Sequence, residues 1–309
     1  MNKVVIGIDK SKSYRVYLAI TTTMAEDARK VHGTAPTATS ALSRVLTGAG
    51  LMGLMMKGEK DKLTVQFKGD GPAIEILATS NAKGEVKGYI ANPEVDLPLA
   101  ENGKLDVGSA LGIGEIVVIK DFGLKEPYIG KIALVSGEIA DDLTAYFFIS
   151  EQQSTSVALG EIISPDEKVN AAGGMIIQML PESNDEVASA LEELVYHMPP
   201  ISSLISEVVK SSVGKTKEAI MDRLLAKIFQ AMPEEFAIEA LEYRDIGWHC
   251  DCSVSRLEQV VISLGKKEIA QIIEEDGEAE LVCQFCRKQY NFDREHLQRL
   301  LLEAASSKK

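Results

Sequence analysis

All four cysteines of this 309-residue chain stand in two tight pairs near its C-terminal end. Cys250 and Cys252 form the first pair, in "WHCDCS", and Cys283 and Cys286 form the second, in "CQFC". Four thiolates in this arrangement supply a complete tetrahedral shell for zinc and leave no position open for a substrate water. The pattern therefore predicts one zinc ion per chain, held by these four sulfurs in a structural site.

Three other interpretations of this region are weaker but stay open. Cys283 and Cys286 alone could form a dithiol oxidoreductase site, which needs the C-x-x-C at the start of a helix; here it follows the strand-like "AELV". The four cysteines could also be free, buried and inert. His249 and His296 are alternative nitrogen ligands, but four cysteines already complete the shell, so we expect both to be ordinary polar residues.

The charge of the chain argues against a nucleic-acid partner. The formal net charge is −13, and the segment from Glu235 to Lys309 holds ten Lys or Arg against fifteen Asp or Glu, a net of −5. Phosphate contacts dominate nucleic-acid affinity and require a basic surface. A zinc module for DNA or RNA is therefore disfavoured.

The sequence indicates neither a signal peptide nor a membrane-spanning segment. The start, "MNKVVIGIDK", lacks the apolar run and cleavage site of a signal peptide. The longest apolar stretch, Val45 to Met56, is shorter than the roughly 20 residues that span a bilayer. We therefore expect a cytoplasmic protein without membrane contact, in a compartment where thiols stay reduced.

The first 180 residues predict strands joined by hairpins, together with a buried helix. "TATSALSRVLTGAGLMGLMMKG" is apolar on nearly every face, which is typical of a helix inside a domain. Hairpins are predicted to turn at Lys83-Gly84 and around Gly123. Further strands are expected in "YRVYLAITT", "STSVALGEII" and "GGMIIQMLP", and a helix in "EIADDLTAYFFIS". Hairpin-rich sheets favour an α+β fold over a doubly wound parallel sheet.

The character of the sequence changes at Pro181, so we expect three parts. Residues 1–180 form the mixed core. Residues 181–232 hold three short amphipathic helices, each near or below the ~12–15 residues at which an isolated helix is marginal, so they depend on docking and form a segment that can detach. Residues 233–309 form the small zinc-binding domain, with two helices, a hairpin around the second cysteine pair and a closing helix.

No convincing active site is present, and we expect the protein not to be an enzyme. "GKT" at Gly214 to Thr216 lacks the earlier glycine of a phosphate-binding loop. "GDGP" and "GIG" are interpreted as turns. Four carboxylates, Glu138, Asp141, Asp142 and Glu151, could suggest a site, but charges in the first turn and on the exposed face of a helix explain most of them.

The sequence resembles the redox-regulated 33 kDa chaperonin family of heat-shock proteins over almost its whole length. The resemblance is carried by "HGTAPTATSALSRVLTGAGLMGLMMK", "KGDGP", "YIGKIALVSGEIADDLTAYFFISEQ", "GGMIIQMLP", the "CDCS" and "CQFC" pairs, and "YNF" behind the second pair. It implies a holdase that keeps unfolding client proteins soluble under oxidative stress without ATP.

The resemblance also implies how the switch works. The zinc ligands would be Cys250, Cys252, Cys283 and Cys286. Oxidation would join Cys250 to Cys252 and Cys283 to Cys286 and release the zinc. It would also unfold the family's flexible linker, which matches residues 181–232. Closing the two shortest loops costs the least entropy, which favours the same pairing. A homodimer is expected on activation, because an uncovered apolar patch could pair two protomers. The competing class is an enzyme of unknown chemistry with a structural zinc module.

Overall fold

The computed structural model describes residues 1–306 of the chain. It contains two compact units, Met1–His249 and the described part of Cys250–Lys309, called here the N-terminal unit and the cysteine unit. The elements of the N-terminal unit are β1 (Asn2–Asp9), β2 (Tyr14–Thr21), α1 (Thr22–His32), α2 (Pro36–Leu54), β3 (Lys62–Gly69), β4 (Glu75–Asn81), β5 (Glu85–Ile90), α3 (Val107–Leu111), β6 (Gly114–Asp121), β7 (Tyr128–Ala133), α4 (Ala140–Ile149), β8 (Thr155–Ile163), β9 (Val169–Met179), α5 (Asp185–His197), α6 (Ile201–Lys210), α7 (Lys217–Phe229), a 3-10 turn (Glu234–Phe236), β10 (Ile238–Arg244) and β11 (Gly247–Trp248).

Two sheets, built mainly from hairpins, organise the N-terminal unit. The five-stranded sheet has the order β10-β1-β2-β9-β8 and is antiparallel throughout; the six-stranded sheet has the order β11-β5-β4-β3-β6-β7 and is antiparallel except for the short β11–β5 pair. The two predicted hairpins are confirmed, and Gly84 and Gly123 adopt the left-handed backbone in their turns, with φ of 75° and 71°. The α+β fold is thereby confirmed.

Helix α2 is the centre of the N-terminal unit, as its apolar sequence predicts. Seventeen of its nineteen residues are buried, and it packs against strands of both sheets. Close approach to β4 requires a glycine near its end, because a Cβ on Gly53 would lie 2.2 Å from Ser80 Oγ. Because α2 is apolar on nearly every face, strands from two sheets, and not from one, bury it.

The other face of the five-stranded sheet is covered by the three predicted short helices. Side chains of β2 alternate between two apolar cores: Tyr17 and Ala19 belong to the core around α2, and Leu18 and Ile20 to the core under α5–α7. Helix α6 packs on β8 and β9, and α7 packs on β1, β2 and β10. All three helices form where the sequence predicts them, and they lie on the sheet through their apolar stripes.

The cysteine unit has a small apolar core of its own. Its elements are α8 (Val254–Leu264), α9 (Lys266–Glu275), β12 (Ala279–Val282), β13 (Gln289–Phe292) and α10 (Arg294–Ser306). β12 and β13 form the predicted hairpin around the second cysteine pair. The buried residues of the core are Val261, Ile269, Ile273, Cys283, Tyr290, Phe292, Leu297, Leu300 and Ala304.

Strands β10 and β11 have no counterpart in the elements expected from the sequence. β10 pairs with β1, and β11 pairs with β5, so residues 238–248 belong to the sheets of the N-terminal unit. The division into three parts, residues 1–180, 181–232 and 233–309, stays a prediction; residues 307–309 lie outside the described residues. In the described part of the chain, no helix has the length and apolarity needed to cross a membrane.

Candidate metal centre

A segment without regular secondary structure and one tight turn present the cysteine side chains. Cys250 and Cys252 stand in the extended segment before α8, where the Ser253 hydroxyl caps the helix by accepting from the Arg256 N–H. Cys283 directly follows β12, and its backbone closes the C-x-x-C turn: its N–H donates to Lys288 O at 3.0 Å, and its carbonyl accepts from the Arg287 N–H at 2.8 Å. A tight turn of this kind directs two nearby sulfurs to one side of the backbone.

The four sulfurs form a single cluster. All lie within 4.8 Å of one another, with 3.7 Å between Cys250 Sγ and Cys283 Sγ and 3.3 Å between Cys252 Sγ and Cys286 Sγ. Zinc–sulfur bonds of about 2.3 Å in a tetrahedron place sulfurs about 3.8 Å apart. The donor set and its spacing therefore fit a tetrahedral thiolate site with a soft divalent ion such as zinc.

Tyr290, on β13, belongs to the surroundings of this cluster, and sequence reasoning missed its role. Its hydroxyl donates to Cys252 Sγ at 3.1 Å, and the Lys288 ammonium lies 5.1 Å from the centre of its ring. Tyr290 stands in the "YNF" stretch behind the second pair. The sequence offers one signal, a tyrosine on the strand that follows the C-x-x-C, and this signal does not identify Cys252 as its partner.

The protonation of the thiols differs within the cluster. Burial raises the pKa of Cys250 and Cys286. Burial acts on Cys252 in the same direction, but hydrogen bonds from Tyr290 and the neighbouring cysteines stabilise its thiolate and lower its pKa to about 7. The hydrogen bond to Cys252 raises the pKa of Tyr290 to about 12, so Tyr290 keeps the proton it donates. Among Cys250, Cys252 and Cys286, Cys252 is thus the one whose surroundings favour the metal-binding thiolate form.

The two histidines do not join the sulfurs. Among the described residues, the group of ligand atoms that lie within 4.8 Å of one another contains only cysteines. His296 accepts or donates a hydrogen bond through Nε2 with Glu258 at 2.7 Å and packs edge-on against Phe292. The His249 N–H donates to Val86 O. The expectation that both are ordinary polar residues stays a prediction.

The four carboxylates named from the sequence have structural partners in the N-terminal unit. Asp142 is fully buried, which its expected place in the first turn of α4 does not require. It accepts four backbone N–H groups, from Val135, Ser136, Gly137 and Ile139, and so closes the loop before the helix. Asp141 accepts from the hydroxyl of Ser136.

Glu138 and Glu151 are likewise bound by cations and hydroxyls. Glu138 pairs with Arg44 at 2.6 Å, and Glu151 pairs with Lys120 and accepts from Tyr146 Oη. The turn interpretation of "GDGP" and "GIG" is also confirmed, since the two turns bind each other through backbone hydrogen bonds. In "GKT", Thr216 caps α7. These groups carry structural duties.

We expect Tyr290→Phe to weaken the hold of the cluster on zinc about 10- to 100-fold, because it removes the hydrogen bond to Cys252 but keeps the ring in the core. Competition with a chromophoric chelator measures the affinity. Tyr196→Phe, at an exposed tyrosine of the N-terminal unit, is the matched control and should leave the affinity unchanged. Equal affinities for Tyr290→Phe and the parent protein would mean that the hydroxyl does not support the ligand.

Comparison with known proteins finds one family throughout. The model of the family described as Hsp33 protein matches residues 2–293. The 33 kDa chaperonin of Alkaliphilus oremlandii is 46% identical over 303 residues, which covers 98% of this chain and 97% of the relative. The 33 kDa chaperonin of Bacillus subtilis is 44% identical over 287 residues, 93% of each chain.

Similarity to a solved structure extends over both units. The crystal structure of the 33 kDa chaperonin, a heat shock protein 33 homolog, from Thermotoga maritima is 31% identical in sequence. It covers 99% of this chain and 99% of its own, with a TM-score of 0.83. The arrangement of strands and helices is therefore shared along the whole length.

Proposed function

This chain belongs to the Hsp33 family, and on that premise we propose that it is a redox-regulated, ATP-independent holdase, which binds unfolding proteins and prevents their aggregation under oxidative stress. Its relatives are named chaperonins, which are not enzymes. The prediction of a non-enzymatic protein is therefore confirmed, and the alternative of an enzyme with a structural zinc module is set aside.

The observation that carries the redox part of the proposal is the cluster of four sulfurs. Cys250, Cys252, Cys283 and Cys286 would hold one zinc ion per chain in the reduced protein. When bound, zinc would join the C-x-C and C-x-x-C segments through four bonds to sulfur and keep the thiols deprotonated. Because the shell would be complete, the centre has no open position for substrate, which suits a structural switch and not a catalyst.

The same thiolates are targets for peroxide. A thiolate attacks one peroxide oxygen and becomes a sulfenic acid, while the other oxygen leaves as hydroxide. A second thiol then attacks the sulfenic sulfur, a disulfide forms and water leaves, so each pair loses two electrons and the peroxide gains them. Sulfurs joined in disulfides can no longer hold the ion.

Loss of the ligands would remove the main support of the cysteine unit. Its core has nine buried residues, and the cluster joins the two sulfur-bearing segments, the C-x-C and the C-x-x-C. Metal binding in small domains is worth on the order of 10 kcal/mol of folding free energy or more. Oxidation is therefore expected to unfold residues 250–306.

The chain itself leads from the cysteines to the linker helices. Cys250 follows β11 after one residue, and β10 precedes β11. β10 is bound to α7 by the hydrogen bond from the Tyr243 hydroxyl to Asp222, and the 3-10 turn before β10 accepts from Tyr14 Oη through Phe236 O at 2.7 Å. Unfolding that frays β11 and β10 would thus remove contacts of α7.

Detachment of α5–α7 would uncover two matching apolar surfaces, the stripes of the helices and the sheet beneath them. The helices have 13, 10 and 13 residues, lengths at which helices depend on packing. A large apolar patch of this kind binds exposed apolar segments of other chains. We also propose that this patch pairs two activated protomers into a homodimer. We place the protein in the cytoplasm, where thiols stay reduced until oxidative stress.

The test compares reduced and peroxide-treated protein in suppressing aggregation of an unfolding protein, while a chelating dye follows zinc release. We expect suppression only after treatment, together with release of one zinc per chain, and loss of suppression when thiols are reduced again. Equal suppression by the reduced, zinc-loaded protein would contradict redox control. No suppression in either state would contradict the holdase proposal.

We expect the disulfides of the activated protein to join Cys250 to Cys252 and Cys283 to Cys286. In the folded cluster, however, the short sulfur–sulfur distances run between the two pairs, from Cys250 to Cys283 and from Cys252 to Cys286. The expectation therefore depends on unfolding before the second bond forms, because short loops then close at the lowest entropic cost. Peptide mapping decides: mainly Cys252–Cys286 links would mean that oxidation captures the folded cluster.

A further inference from the structure

We propose that β7 is a second client-binding site, at which an extended apolar segment of an unfolding chain adds to the six-stranded sheet as a further strand. The inference rests on the proposed holdase function and deepens it. Unlike the surface under α5–α7, this edge has no partner strand among the described residues before any helix detaches, so we place the site in the reduced protein as well.

The backbone of β7 offers unpaired hydrogen-bonding groups. In the described part of the chain, β7 is the last strand of its sheet and pairs only with β6. The Leu134 N–H donates to Gly114 O at 2.9 Å, which shows which alternate residues of this antiparallel ladder direct their backbone groups at β6. The N–H and C=O groups of Ile129, Lys131 and Ala133 therefore point away from β6, and within the described residues no hydrogen bond to them is made.

Two of the other outer strands have the usual protection against pairing. β10 has an extra residue, Leu241, opposite Ile6/Gly7, and β11 has only two residues. The shift at Ile162/Ile163 lies at the end of β8, and the extra residue there, Asn170, belongs to β9. β7 has six residues and no shift in its register with β6. Bulges and short edges prevent strand addition, so their absence leaves β7 open to it.

Apolar side chains flank this open edge. Ile129 is 59% exposed. The Tyr128 hydroxyl lies 3.3 Å from Ser150 Oγ, which brings the start of β7 beside the end of α4, where Phe148 and Ile149 are also exposed. The one charge on the strand, Lys131, pairs with Glu115 of β6 at 2.6 Å. The edge thus combines free backbone groups with apolar contact area.

An extended segment of a client is the occupant that fits these features. Outward N–H and C=O groups spaced two residues apart match another strand, whereas a helix has already used its own backbone groups. Pairing of two β7 edges would bury only a six-residue strip per copy, well below the ~1,200 Å² of stable interfaces. An unfolding chain supplies exposed extended segments and needs only weak, reversible binding.

The probe is a fluorescent peptide of alternating valine and threonine, titrated into the full-length reduced protein by anisotropy. A peptide N-methylated at every residue, which cannot form a ladder, is the first control. Amide exchange followed by NMR should show new protection at Ile129, Lys131 and Ala133, but no change at Gly130 and Ile132, whose amides already face β6. The N-methylated peptide should bind at least about tenfold more weakly.

Ile129→Lys should lower the peptide affinity about tenfold or more. Leu99→Lys is the matched control, because Leu99 is 61% exposed in an irregular segment; it should change the affinity less than about twofold. If the N-methylated peptide binds as tightly as the parent peptide, side chains and not the backbone hold it, and the inference is overturned. If a higher protein concentration alone protects the same amides, a second copy of the chain occupies the edge, which also overturns it. Aggregation suppression by oxidised parent protein is measured in parallel, so failure of the proposed holdase function is seen separately.

Discussion

Cys283→Ser is expected to unfold the cysteine unit while the N-terminal unit stays folded. Cys283 is the most buried of the four cysteines, in the core and in the cluster together. A unit of this size buries too little apolar surface to be more than marginally stable by itself. Loss of one ligand from a complete shell should remove a large part of the ~10 kcal/mol or more that metal binding contributes to folding.

Hydrogen exchange with mass spectrometry measures this result. Amides of residues 250–306 should exchange at the rate of an unfolded chain in Cys283→Ser, and those of β3, β4 and β6 should keep their protection. Gln284→Ser is the matched control, since it introduces the same residue at an exposed position of the same turn. Native protection of residues 250–306 in Cys283→Ser would mean that the apolar core, and not the metal, holds this unit.

Ile205→Ala is expected to make the reduced, zinc-loaded protein suppress aggregation without peroxide. Ile205 on α6 is fully buried against the five-stranded sheet, so close to β9 that a Cβ on Gly173 would lie 2.5 Å from its Cδ1. Truncation of a buried isoleucine costs about 2–5 kcal/mol. The population in which α5–α7 are detached should rise at least about 30-fold, because each 1.4 kcal/mol is a factor of ten.

The assay uses the reduced protein and an unfolding protein, with zinc content measured to show that the switch is still closed. Residues 184–229 should lose exchange protection in Ile205→Ala, and residues 250–306 should not. Val213→Ala, at a side chain that is 87% exposed just beyond α6, is the matched control and should stay inactive. If Ile205→Ala loses protection of α5–α7 but gains no activity, clients do not bind the surface beneath these helices.

Local patterns predicted many of the individual elements well. The buried α2, the two hairpins with left-handed glycines, the three short helices and the hairpin around Cys283 and Cys286 all have signals within a few residues of one another. Such signals come from side-chain period and turn chemistry, which act at short range. The grouping of four cysteines as one cluster was also predictable, because two tight pairs in a cysteine-poor chain have few other uses.

The site was less predictable beyond its cysteines. Tyr290 stands near the second pair in sequence, but its hydrogen bond goes to Cys252 of the first pair, and no spacing rule selects it. Asp142 has the sequence position of a surface charge in a first helical turn, yet it is buried because the preceding loop folds back and directs four N–H groups at it. Burial of a charge depends on the partners that the fold brings to it.

The sequence by itself determined that this chain makes an α+β fold with short, dependent helices and a cysteine cluster near one end, since periodicity, turn residues and cysteine spacing are local properties. Only the tertiary structure decided that β10 joins β1 and that β11 joins β5, which ties the segment before Cys250 to the sheets of the N-terminal unit. Strand pairing between residues more than 150 positions apart depends on the register and on which edges remain free. For the same reason, the open edge of β7 becomes visible only when all its neighbours in the sheet are known.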